Sequence, residues 1–147
     1  MISVRDLLQA KGNEVWHVTP DTSLLEAVRL MEQRDIGALV ILEHDELKGI
    51  ISERDFARMV AETGTCILGV PVENYMTKDV ITIDIDQTID VGMRLMTDNH
   101  IRHLPVMEKG KVAGMITLGD VVTEILNNKD ALIDSLENYI EGTGYGR

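Results

Sequence analysis

Two segments carry the residue types best suited to holding a sugar phosphate: Gly49-Ile50-Ile51-Ser52-Glu53-Arg54-Asp55 and Gly114-Met115-Ile116-Thr117-Leu118-Gly119-Asp120. Each ends a hydrophobic run with a hydroxyl residue, and an Asp follows three positions on, where the pattern turns helical. Free N–H groups at a helix start attract an anion, a hydroxyl can donate to a phosphate, and a carboxylate can accept from two vicinal ribose hydroxyls. That set suits a nucleotide. Ser52 and Thr117 also read as plain helix N-caps, with Asp55 and Asp120 as the third-position partners of a capping box. On one copy alone the cap is the favoured reading; recurrence at one register adds weight to the ligand reading and leaves both open.

A second cluster, Ile101-Arg102-His103-Leu104-Pro105-Val106, stands at the entry to a strand. Pro105 lacks a ladder donor, which predicts an edge or an irregular strand start with backbone groups left for a ligand. Arg102 and His103 bring positive charge to an acidic chain; the plainer alternative is a surface Arg among many carboxylates and a half-buried His. Gly37 and Ala38 hold the matching positions upstream, so two sites built this way cannot be chemically equal. His100, His103 and Asp98 invite a metal reading, but structural zinc wants four ligands, usually with sulfur, and the lone Cys66 is far off in sequence. No phosphate loop of the G-x-x-x-x-G-K type, G-x-S-x-G elbow or acid–base carboxylate pair occurs. The expectation is a protein that is not an enzyme, needs no cofactor and holds no metal.

The elements that must position these residues come in duplicate. Shifted by 65 positions, Val15 to Val60 lies over Val80 to Ile125 without a gap, and 11 of the 46 pairs are identical, Asp55/Asp120 and Gly49/Gly114 among them. Each copy reads as a short extended piece (15–18; 80–83), a helix opened by a polar turn, a hairpin of two strands (37–42 and 47–51; 103–107 and 112–116) and a closing helix (55–60; 120–126). The class is α/β (α+β), two β-α-β-β-α units. A short helix precedes each copy, Ser3 to Ala10 and Val72 to Met76 after Pro71. The expected boundaries are 2–62 for the first unit, 63–71 for a linker, 72–127 for the second unit and 128–147 for a terminal helix and tail. Neither copy alone has core enough to be stable, so the two sheets should pack together. The tail has apolar residues at 132, 133, 136, 139 and 140, a helical stripe that needs a surface to lie on, either this protomer or a second one. Residues 142–147 are expected to be flexible.

Composition narrows the partners. A net charge of −11 repels nucleic acid and anionic membrane, while a few local cations can still favour a small anion. An aromatic content of 3% leaves no base-stacking platform. No apolar run approaches the ~20 residues of a membrane span, so a soluble, cytoplasmic protein is expected.

Four stretches, Val-Thr-Pro-Asp-Thr-Ser-Leu at 18–24, Gly-Ile-Ile-Ser-Glu-Arg-Asp at 49–55, Ile-Arg-His-Leu-Pro-Val at 101–106 and Gly-Met-Ile-Thr-Leu-Gly-Asp-Val-Val at 114–122, resemble a tandem cystathionine-β-synthase (CBS) domain pair, as in stand-alone bacterial and archaeal proteins. The resemblance covers about residues 2 to 127. It implies units related by a pseudo-twofold axis, packed sheet to sheet and pairing again into a disc-like homodimer, with clefts that bind AMP, ADP, ATP, NAD(H) or S-adenosylmethionine and adjust the activity of a partner protein. Carried over, Asp55 and Asp120 are the ribose acceptors and Ser52 and Thr117 the phosphate-side hydroxyls. The strand entries around Gly37, Ala38, Arg102 and His103, with Trp16 and Ile81, are the adenine and phosphate walls. In the family the hydroxyl–Asp segment of one unit can face the strand entries of the other, which would set Ser52, Arg54 and Asp55 against Arg102 and His103. The leading expectation is a regulatory AMP-binding module; the rival is an interaction module with vestigial clefts that acts through its terminal helix.

Overall fold

The computed structural model describes residues 1–141, so the expectation for the last six residues lies outside it. The chain forms two compact units: Val15–Val80, and Met1–Glu14 together with the chain from Ile81 onward. They are called here the first-repeat and second-repeat units.

In the first-repeat unit, β1 (His17–Val18) leads into α2 (Leu24–Arg34), a hairpin of β2 (Ala38–Glu43) and β3 (Glu46–Ser52), and α3 (Glu53–Thr63); α1 (Val4–Lys11) belongs to the other unit. The sheet order is β1-β2-β3, with β1 parallel and β3 antiparallel to β2. His44 and Asp45 at the hairpin tip both have positive φ, the conformation of a two-residue turn that matches the strand twist. Helix α2 starts where the Ser23 hydroxyl accepts from the Glu26 N–H and stops at left-handed Asp35. Its apolar face buries Leu24, Ala27 and Met31 against Leu39, Ile41 and Ile51.

The second-repeat unit has β4 (Ile83–Asp84), α4 (Ile89–Asn99), β5 (His103–Glu108), β6 (Lys111–Thr117) and α5 (Leu118–Asn127), in sheet order β4-β5-β6. Even the irregularities repeat. The register shifts between Ile41 and Leu42 in one hairpin and between Val106 and Met107 in the other, 65 positions on. Left-handed His100 ends α4 as Asp35 ends α2. His100 is therefore a helix cap, and among the described residues no three potential metal ligands stand together.

The leading segments are exchanged in space. Helix α1 (Val4–Lys11), capped by Ser3, precedes the first repeat but packs on the second, where Val4, Leu7 and Leu8 join the core of Ile83, Leu104 and Ile116. The Val4 and Arg5 N–H groups donate to the carbonyls of Gln87 and Ile85, and the Arg5 guanidinium bonds Asp86 and Glu108. Conversely, the segment before the second repeat packs on the first: Val72 is buried there, and Val72 N–H donates to Thr22 O. The expected short helix at 72–76 is only one 3₁₀ turn, Val72–Asn74: the Met76 N–H still donates to the Val72 carbonyl, but Thr77 leaves to pair with Ile50. Each leader crosses a strand glycine closely. A Cβ at Gly114 would stand 2.8 Å from both methyls of Leu8, and one at Gly49 2.5 Å from Met76 Sδ and 3.0 Å from the Thr77 carbonyl.

Helix α6 (Lys129–Ile140) closes the second-repeat unit, and its orientation differs from the stripe read in the sequence. Its buried positions are Ala131 and Ser135, and the Ser135 hydroxyl donates to the buried Asp90 carboxylate at 2.8 Å. Ile133, Leu136, Tyr139 and Ile140 are exposed. The helix thus lies on its own protomer by its small-residue face and turns most of the apolar stripe outward. Among the described residues no helix is long and apolar enough to cross a membrane.

Candidate functional site

Both hydroxyl–carboxylate segments fold as strand end, cap and helix start. Ser52 ends β3 and precedes α3; Thr117 ends β6 and precedes α5. The helices begin at Glu53 and Leu118, two residues earlier than the apolar pattern indicates, because the caps are Ser52 and Thr117 themselves. Opposite each hydroxyl residue sits the strand entry of the same hairpin, Ala38 across from Ser52 and His103 across from Thr117. The carbonyls of Gly37 and Arg102 take the first helical N–H groups, those of Glu53 and Leu118. One donor at each helix start is thereby already used.

The two carboxylates are held differently. Asp55 is buried, 8% exposed. Its Oδ2 accepts from the Ser52 N–H (2.8 Å) and hydroxyl (3.2 Å), its Oδ1 accepts from the Thr77 hydroxyl (3.1 Å), and Arg58 lies at 3.9 Å. Asp120 is a quarter exposed. Its Oδ2 takes the Thr117 N–H (2.9 Å) and the Lys11 ammonium (2.6 Å), while the Thr117 hydroxyl accepts from the Asp120 N–H. Lys11 also donates to the Met115 carbonyl at 2.8 Å. Every contact on Asp120 among the described residues lands on Oδ2. A capping box therefore exists at both places, and it does not exhaust either carboxylate.

Thr77 and Lys11 were invisible as site residues in the sequence. Both come from exchanged leaders: Thr77 reaches Asp55 from 22 positions downstream, and Lys11 reaches Asp120 from 109 positions upstream. The signal that could have found them is a polar residue shortly after an apolar leader position that covers a strand glycine, Lys11 three past Leu8 over Gly114 and Thr77 one past Met76 over Gly49.

The strand entries also diverge. Pro105 lies within β5, the central strand, and not on an edge. It is tolerated because β4 pairs only with Val106 and Met107. Met115, opposite Pro105, turns its carbonyl away from β5 toward Lys11, so this pair exchanges no ladder bonds and the proline nitrogen faces the β4 side. In the first-repeat unit the matching Val40 N–H donates to the Trp16 carbonyl at 3.4 Å. Pro105 has no such proton, so it leaves the carbonyl of Ile81, the counterpart of Trp16, without that donor. The Trp16 ring carries the Arg34 guanidinium 3.9 Å from its centroid, so one indole face is covered. Arg54 and Arg102 are exposed, and His103 is half-buried.

The CBS domain model matches residues 4–62 and again 72–127. The mitochondrial CBS domain-containing protein CBSX3 of Arabidopsis thaliana is 35% identical over 97% of this chain and 73% of its own length. A CBS-domain-containing protein from Agrobacterium tumefaciens superposes with a TM-score of 0.79 at 40% identity, covering 83% of this chain and 98% of that one. The CBS domain pair of protein MJ0100, solved in complex with 5-methylthioadenosine and S-adenosyl-L-methionine, superposes with a TM-score of 0.73 at 26% identity, covering 88% and 98%.

Proposed function

This chain belongs to the CBS-domain family, with the domain present twice, and we propose that it is a non-catalytic regulatory module that binds an adenosine-containing nucleotide, AMP foremost, at its hydroxyl–carboxylate segments. The observation that carries this reading is the repetition of one chemical unit, a carboxylate three residues past a hydroxyl at a strand-to-helix turn, at positions 65 apart in two compact units. The crystallised pair with two adenosyl compounds supports the ligand class. Ser52, Asp55, Thr117 and Asp120 serve the ribose and phosphate; Ile81, with a carbonyl relieved of its ladder donor by Pro105, serves adenine. Arg54, Arg102 and His103 supply charge, and Gly37, Ala38 and Trp16 shape the walls. AMP ranks ahead of a triphosphate because cations are few beside a net charge of −11. Binding regulates by favouring whichever conformation holds the ligand better, which a partner protein then reads.

Calorimetric titration with AMP, ADP, ATP, NADH and S-adenosylmethionine tests the reading. A saturable heat with AMP is expected, lost when Asp55 and Asp120 are both replaced by Ala; no heat and no thermal shift with any of the five would end it.

A second reading rests on a separate observation, the outward apolar residues Ile133, Leu136, Tyr139 and Ile140 beside Val122 and Leu126 of α5. They suit a homodimer formed through a second copy of this face. In sedimentation, Leu136→Glu with Ile140→Glu should convert a dimer to a monomer; an unchanged mass would exclude this face.

A further inference from the structure

We propose that Lys11 makes the Asp120 site selective for an anionic ribose ligand, presenting a cationic donor beside an acceptor oxygen. This rests on the ribose role of Asp120 and adds a determinant outside both repeats. An ammonium has three N–H donors. Two are spent, on Asp120 Oδ2 and on the Met115 carbonyl. The third is available to a ligand oxygen, and Asp120 Oδ1 beside it carries no donor among the described residues. With side-chain exposures of 29% and 25%, Lys11 and Asp120 are reachable from solvent yet held.

The cation is also fixed in advance. Lys11 is the last residue of α1, and that helix is pinned by Arg5 to Asp86 and Glu108 and by Leu8 against Gly114. Little side-chain freedom is left to lose when a ligand arrives. A nucleoside offers the pair only neutral hydroxyls, which gain most from the carboxylate oxygen. A nucleoside monophosphate can use both groups. At Asp55 the leader supplies the neutral Thr77 hydroxyl instead, the carboxylate is buried, and Arg58 of α3 stands off at 3.9 Å, beyond hydrogen-bond distance. The preference for phosphate should therefore belong to the second-repeat unit.

The test compares AMP with adenosine on the full-length chain, following the Gly119 amide by NMR so that the Asp120 site is read by itself. For Lys11→Met, AMP affinity should fall about fivefold, the scale of one partly exposed charge pair, with adenosine changed less than about twofold. Lys11→Arg should keep the preference. Equal losses for both ligands, or no loss for AMP, in a variant whose thermal unfolding matches the parent would overturn the role of Lys11 and leave the ribose assignment intact. If neither ligand moves Gly119 in the unaltered protein, the ribose assignment itself fails, and the selectivity with it.

Discussion

Asp55 and Asp120 occupy the same register of their repeats, yet one is enclosed by hydroxyls and the other faces an ammonium. Asp55 accepts from Ser52 and Thr77 and is nearly buried; Asp120 accepts from Thr117 and Lys11 and stays partly open. The difference originates in the leaders. The three-residue turn before the second repeat runs out early and lays Thr77 along β3, whereas α1 continues to Lys11 and reaches β6 with a side chain. Duplicated units can thus keep a shared local motif while the segments that cross between them set each site apart.

The comparison can be broken at several points. The largest effect is expected at Asp55: replacement by Ala orphans two hydroxyls and a backbone N–H around a buried position, costing about 3 kcal/mol in urea unfolding, against about 1 kcal/mol for Asp120→Ala. Equal losses would show that the two carboxylates are structurally equivalent. Next come the glycines under the leaders. Gly49→Ala meets a backbone carbonyl as well as Met76 and should cost about 2 kcal/mol, and Gly114→Ala, which meets only the movable end of Leu8, about 1 kcal/mol. The reverse ranking would mean that the leader before the second repeat yields more easily than α1. Smallest, and without counterpart in the first-repeat unit, is Ser135→Ala. Loss of its bond to Asp90 should cost about 1 kcal/mol or less and speed amide exchange in 129–140, leaving exchange in α3 unchanged.

Much of the fold was legible because its signals are local. Alternating apolar runs gave the hairpins, Ser52 and Thr117 read as helix caps, and the 65-residue shift gave the duplication, along which the bulge and the left-handed helix ends also recur in the structure. The exchange of leaders was not legible, since the apolar pattern of Val4, Leu7 and Leu8 says that a face is buried but not which sheet buries it. For the same reason Lys11 read as a helix end and Thr77 as a linker residue. The orientation of α6 was hidden for a different reason. Counting apolar residues favours the face of Ile133, Leu136 and Ile140, but one buried hydrogen bond between Ser135 and Asp90, joined by small Ala131, brings the other face down. Pro105 shows the limit of a residue rule: the missing donor was foreseen, but its place in a central strand depends on how short β4 is.

The most direct test of the central claim is a crystal structure of the full chain grown with saturating AMP. The account predicts the ribose hydroxyls on a carboxylate oxygen of Asp120, Asp55 or both, with the hydroxyl of Thr117 or Ser52 toward the phosphate. AMP bound away from both carboxylates, or a lattice without AMP at concentrations that saturate calorimetry, would contradict it.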